Sequence, residues 1–102
     1  MTELEIYQYQ YSKLKALVEQ EGYLVVEGPT IELVKMNKVV SSNIESIGYL
    51  TANKELFVRF KGSGTYKYEN VGTEAVTGLM NAESKGSYFT TFIKNYCKCT
   101  KL

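Results

Sequence analysis

A chain of 102 residues carries one compact domain, or one domain with a short extension, because two separate cores would each bury too little apolar surface. Its 44% hydrophobic and 23% charged content is that of an ordinary globular protein, and apolar runs of only a few residues exclude a bilayer-spanning helix. The formal charge of +1 conceals an asymmetry: residues 1–34 hold six glutamates against Lys13 and Lys15, a net of −4, whereas residues 35–102 hold ten basic residues against five glutamates, a net of +5. The second part could therefore attract an anionic partner, or simply present a solvated face.

The start, MTELEIYQYQ, is acidic and polar, unlike the basic and then apolar layout of a secretory signal, so a cytoplasmic location is expected. Thr2 followed by Glu5 forms a capping-box pattern, which predicts a helix start. Leu4, Tyr7, Tyr11, Leu14 and Val18 then recur at helical spacing and make one apolar stripe, either packed within the protein or offered as a homodimer face; Tyr9 lies off it. Gly22 stops this helix. Tyr23 to Glu27 and Thr30 to Lys35 are β-prone and flank Gly28-Pro29, predicting a β-hairpin or an extended arm.

From Val39 the pattern changes to short strands. One begins at Ile47 and Tyr49, Thr51 to Lys54 is a polar connection, and Leu56, Val58 and Phe60 alternate with Phe57, Arg59 and Lys61 in a second. Gly62-Ser63-Gly64 is a tight hairpin signal, and Thr65 to Tyr68 returns as the third strand, with Tyr66 and Tyr68 on one face and Lys67 on the other. Asn70 or Thr73 is expected to cap a helix bearing Ala75, Val76, Leu79 and Met80, within which Gly78 marks a close backbone contact. Lys85-Gly86 reads as its stop, and Ser87 as the cap of a last helix carrying Tyr88, Phe89, Phe92, Ile93 and Tyr96. The expected fold is α+β: a small three-stranded antiparallel meander packed by two C-terminal helices, preceded by an N-terminal helix and a β-hairpin or extended arm. Residues 1–38 are the helix and arm, and residues 39–102 the domain.

Chemistry is sparse. The chain has no His and no Asp, its serines lack a base, and its glutamates are scattered, so no catalysis and no cofactor are expected. Cys97 and Cys99 are too close in sequence for an unstrained mutual disulfide, and a structural zinc site would need ligands from a second chain; they read as incidental thiols in a lysine-rich tail. The candidate ligand-binding set is Arg59, Lys61, Tyr66, Lys67, Tyr68, Lys85 and Tyr88. Aromatic side chains on a sheet can stack bases while the cations neutralise phosphates, and Lys85 stands near a helix start where an anion could sit. Alternation leaves a second possibility, that Tyr66 and Tyr68 face the helices as core and that Phe57, Arg59, Lys61 and Lys67 form the outer face.

Ser41-Ser42-Asn43-Ile44, Gly48-Tyr49, Leu56-Val58-Phe60, Gly64, Tyr66-Lys67-Tyr68, Asn70-Val71 and Ser84-Lys85-Gly86-Ser87-Tyr88-Phe89, taken in order, resemble a KTSC domain. This family is named for its occurrence at the C-terminus of some lysyl-tRNA synthetases, and it also occurs as small stand-alone bacterial and phage proteins. The resemblance covers residues 39 to 96 and centres on the Tyr-x-Tyr element. It implies a non-catalytic module that binds RNA or single-stranded nucleic acid; the synthetase catalytic module is absent, so aminoacylation is not implied. Val71-Gly72 stands where the family commonly has Val-Pro, and Ile93-Lys94 replaces Ile-Arg, keeping charge without the guanidinium fork. The stretch YSKLKALVEQEGYLVVEGP is similar to the opening of phage small terminase subunits, without the Asn-Pro segment that follows there. That likeness suggests the alternative role of a phage-encoded interaction protein that inhibits a host defence by binding a protein or a signalling nucleotide.

Overall fold

The computed structural model describes residues 2–102, with Tyr7 placed by its backbone alone. It forms two compact units, one running to Lys35 and the other comprising Met36–Leu102. No helix among the described residues is long and apolar enough to cross a membrane.

The first unit is helix α1 (Glu3–Gln20) followed by a hairpin of strands β1 (Tyr23–Val26) and β2 (Glu32–Lys35), so the arm is a paired hairpin and not an extended segment. The Thr2 hydroxyl accepts the Glu5 N–H at 3.2 Å, satisfying one of the orphan donors at the helix start. Gly22 follows the helix at φ +92°, where a side chain would be strained. Tyr11 Oη and Lys15 Nζ donate to the Glu27 carboxylate at 2.8 and 3.3 Å, tying helix to hairpin. The apolar stripe is only partly covered: Leu4 and Leu14 are 64% and 60% exposed, Tyr11 and Val18 are half-buried, and the Tyr7 side chain lies outside the described residues.

In the second unit, strands β3 (Asn37–Lys38), β4 (Ile44–Leu50), β5 (Glu55–Phe60), β6 (Gly64–Tyr68) and β7 (Cys99–Lys101) form one antiparallel sheet in chain order. The expected meander is its centre, β4-β5-β6, turning at Gly62 and Gly64 with φ +78° and +90°. Two short edge strands extend it, and the lysine-rich tail supplies one of them, because Tyr66, Lys67 and Tyr68 pair with Lys101, Thr100 and Cys99. A β-bulge at Glu45 shifts the register between Ile44 and Ser46, so Ile44 turns to the same face as Ile47 instead of opposite to it. Both are buried.

Helices cover that face. Helix α2 (Thr73–Asn81) starts from Gly72 without a side-chain cap, correcting the expected caps: Asn70 instead sits at φ +57°, a left-handed turn position that Asn tolerates, and Thr73 is already inside the helix. Lys85-Gly86 is not a stop but the opening of helix α3 (Lys85–Phe89), whose cap is Ser84, not Ser87; the Ser84 hydroxyl accepts the Ser87 N–H at 3.3 Å. Helix α3 runs on into a π-helical turn, Thr90–Lys94. Leu79, Phe89 and Ile93 pack on Ile44, Ile47, Leu56, Val58, Tyr68 and Val71 to make the buried core. Gly78 does mark a close approach: a methyl there would overlap the Tyr88 hydroxyl and lie 2.6 Å from its Cζ, so α2 and α3 meet through a glycine.

Candidate functional site

Strand register decides which of the seven sequence-selected residues can act together. Side chains directly opposite across antiparallel strands share a face, and Tyr66 and Tyr68 stand opposite Val58 and Leu56, on the helix-covered side. Tyr68 is 5% exposed and belongs to the core, while Tyr66 is half-buried at its border. Arg59 and Lys67 lie on the other face, where Arg59 Nε donates to Thr65 Oγ1 at 3.1 Å and Lys67 pairs with Glu55 at 3.3 Å. Lys85 Nζ donates at 3.1 Å to the carbonyl of Ala82, which ends α2, a favourable place for a cation. Tyr88 packs against Gly78 and, at 4.7 Å between centroids, against Phe92. The set therefore divides between two faces of the sheet and the contact between α2 and α3.

A cleft opens where the aromatic border of the core reaches the surface. Phe60, Tyr66, Tyr68 and Phe89 form its floor, Asn43, Thr90, Lys94, Asn95 and Cys99 its walls, and its volume is about 430 Å³. The floor rings meet edge to face: Phe60 to Tyr66 at 5.7 Å, Phe60 to Phe89 at 5.5 Å and Tyr68 to Phe89 at 5.0 Å. Burial, and then the neighbouring Cys99 thiol, push the Tyr68 hydroxyl well above its ordinary range, so it stays protonated as a donor. Among the described residues Lys94 is the sole charged one in the lining, and no carboxylate joins it. Lys101 Nζ lies 5.9 Å from the Tyr66 ring centroid, and Lys61 Nζ donates to the Ser41 carbonyl at 2.6 Å, near the Asn43 wall.

Beside it is a second hollow of about 470 Å³, lined by Ser42, Asn43, Ser84, Gly86, Ser87, Thr90 and Thr91. Asn43 and Thr90 border both. The Asn43 amide is held by its neighbours: Ser41 Oγ donates to Oδ1 at 3.0 Å while accepting the N–H groups of Asn43 and Ile44, and a methyl on Gly86 would stand 2.7 Å from that same oxygen. Among the described residues its Nδ2 makes no hydrogen bond. Ser84 and Ser87 hydroxyls bond each other at 3.0 Å with no base beside them, and no group of three or more His, Cys, Asp or Glu that could hold a metal occurs among the described residues. This arrangement can hold a partly aromatic, partly polar ligand.

Of the residues in and around the cleft, the sequence points to Tyr66, Tyr68 and Lys61 and misses Asn43, Phe60, Phe89, Thr90, Lys94, Asn95 and Cys99. A signal was available: the Ser41-Ser42-Asn43 and Ser84-Lys85-Gly86-Ser87 runs are polar segments, and they meet at one spot. Both runs lie within the region that known proteins share with this chain. The chain is 41% identical over 59 residues to a protein of Tsukamurella paurometabola, covering 58% of this chain and 88% of that one, and 37% identical over 54 residues to one of Stutzerimonas stutzeri, covering 53% and 76%. The crystal structure of a KTSC domain protein from Yersinia pestis matches with a TM-score of 0.66 at 39% identity, over 68% of this chain and 97% of that one. The KTSC domain model itself matches residues 40–96, which include the floor and all but one wall residue of the cleft, and the chain belongs to the KTSC domain family.

Proposed function

We propose that this protein is a non-catalytic module that binds single-stranded nucleic acid, RNA in particular, at the cleft between the β5-β6 hairpin and the π-helical turn. One observation carries the reading: a floor of four aromatic rings has Lys94 in its wall, Lys101 Nζ 5.9 Å from the Tyr66 ring and Lys61 held on the nearby Ser41 carbonyl, with no carboxylate among the described lining residues. An unstacked base supplies the flat apolar body for such a floor, and its phosphates the negative charge for such a border. The volume falls within the range of pockets that enclose a small organic ligand. Charge supports the same direction, since Met36–Leu102 holds nine cations against five carboxylates. Arg59 and Lys67 have no part in it, being on the opposite face and engaged with Thr65 and Glu55.

Fluorescence anisotropy with a labelled single-stranded RNA across a salt series tests the reading. Changing Lys61, Lys94 and Lys101 together to Ala is expected to weaken binding and to flatten the salt dependence by about 0.7 for each phosphate left without its lysine. The paired change of Arg59 and Lys67 to Ala is expected to alter neither. The reverse pattern would move any nucleic-acid contact to the other face, and absence of binding at low salt would end the proposal.

A further inference from the structure

Resting on that reading, we infer that the site selects ribose over deoxyribose: one base enters the aromatic cleft, and its sugar edge lies in the adjoining hydroxyl-lined hollow. The aromatic face of the sheet is not an open platform, because Leu79, Phe89 and Ile93 cover it. Successive bases therefore cannot stack along the strands, and a single base must instead enter at the border where Tyr66 is half-buried. Whatever sits there is within reach of the second hollow, since Asn43 and Thr90 belong to both. Asn43 is a fixed post between the two, its oxygen held by Ser41 and abutting Gly86 and its Nδ2 hydrogens unspent, ready for an acceptor on the base or the ribose.

The second lining is chemically different from the first. Among the described residues it has no charged side chain and no aromatic ring, but five hydroxyl residues: Ser42, Ser84, Ser87, Thr90 and Thr91. Thr90 Oγ1 donates to the Gly86 carbonyl at 2.9 Å and Ser84 and Ser87 bond each other, whereas among the described residues Ser42 and Thr91 have no side-chain hydrogen bond. Hydroxyls that can each donate and accept suit a ribose 2′-OH, which also does both, better than a phosphate, which only accepts. Phosphates are left to Lys94, in the wall of the first cleft, and to Lys61, on the Ser41 carbonyl beside Asn43. The hollow thus supplies the neutral contacts that a deoxyribose cannot use.

The test compares labelled RNA and DNA strands of one mixed sequence and equal length on the full chain, with a Ser42→Ala/Thr91→Val double variant; both positions are exposed, so the change spares the core. RNA is expected to bind about threefold to tenfold more tightly, the factor of one or two neutral hydrogen bonds, and the double variant is expected to erase that ratio while leaving DNA affinity unchanged. Asn43→Ala should lower RNA and DNA affinity together. Adenosine 5′-monophosphate should shift the amide resonances of Asn43, Gly86 and Thr90, and ribose 5-phosphate, lacking the base, should not. Equal RNA and DNA affinities, or a preference that survives in the double variant, would overturn the ribose inference and leave nucleic-acid binding standing. Failure of both strands to bind at low salt would overturn the binding reading itself.

Discussion

The two units of this chain solve the same packing problem to different depths. In the second, a sheet and two helices enclose nine buried side chains, several of them at 0% exposure, and even the contact between α2 and α3 is tight enough to need a glycine. In the first, one helix faces Val25, Ile31 and Leu33 of the hairpin across an open apolar hollow of about 330 Å³, and Leu4, Leu14, Leu17, Ile31 and Leu33 stay half or more exposed. A two-stranded hairpin and a single helix offer too few faces to close a core, whereas a five-stranded sheet offers one wide face that helices can seal. What holds the first unit is therefore more polar: the Thr2 cap and the Tyr11–Glu27–Lys15 tie.

The largest effect is expected in the deeper core. Ile93→Ala, at 0% exposure, should cost the second unit about 2–5 kcal/mol, read from amide exchange of β5, since a chain of two units has no single unfolding free energy. Gly78→Ala should cost about 1–3 kcal/mol by forcing the Tyr88 ring away; Gly78→Ala combined with Tyr88→Leu should recover part of it, which a purely local helix effect would not. Leu14→Ala, at 60% exposure, should change stability by no more than about 0.5 kcal/mol, and a larger loss in a concentration-dependent melt would mean that a second copy covers the stripe. The smallest effect is electrostatic. The Tyr11 hydrogen bond, and then Lys15, hold the Glu27 carboxyl below its ordinary range. A group depressed by folding contributes stability that is present above its unfolded value and is lost as pH falls through the folded one, so the tie should weaken below about pH 4. An NMR titration of the Glu27 side chain should show the low midpoint, and Tyr11→Phe should raise it.

Local signals were legible wherever a residue type has one dominant conformational reason. Thr2, Gly22, Gly62 and Gly64 mark their cap and turns, and the alternation at Leu56, Val58 and Phe60 marks the strand and its helix-covered face, although Phe57, expected on the outer face, is fully buried as well. Long-range pairing was not legible. Nothing local marks Cys99–Lys101 as a strand; it becomes one because β6 leaves an edge to be paired. The Glu45 bulge is equally silent, yet it turns Ile44 inward. Caps were misplaced by about a turn, as at Ser87, whose N–H is itself held by the Ser84 hydroxyl. The site was half legible for the same reason: Tyr66 and Tyr68 stood out by type, but Asn43, Thr90 and Cys99 come from three segments that only the fold brings together.

Strand β7 has a kinetic meaning as well as a geometric one. It is three residues long, wholly exposed, and continued on either side by the Glu69–Lys98 and Leu102–Thr65 backbone bonds at 2.9 Å. A strand of that length at a sheet edge frays at little free-energy cost while the helices and central strands stay folded. Cys99 is part of it, so one wall of the cleft can breathe away and return without the domain opening. Amides of β7 should exchange fast in the free protein, and a bound ligand should slow them by clamping the strand shut.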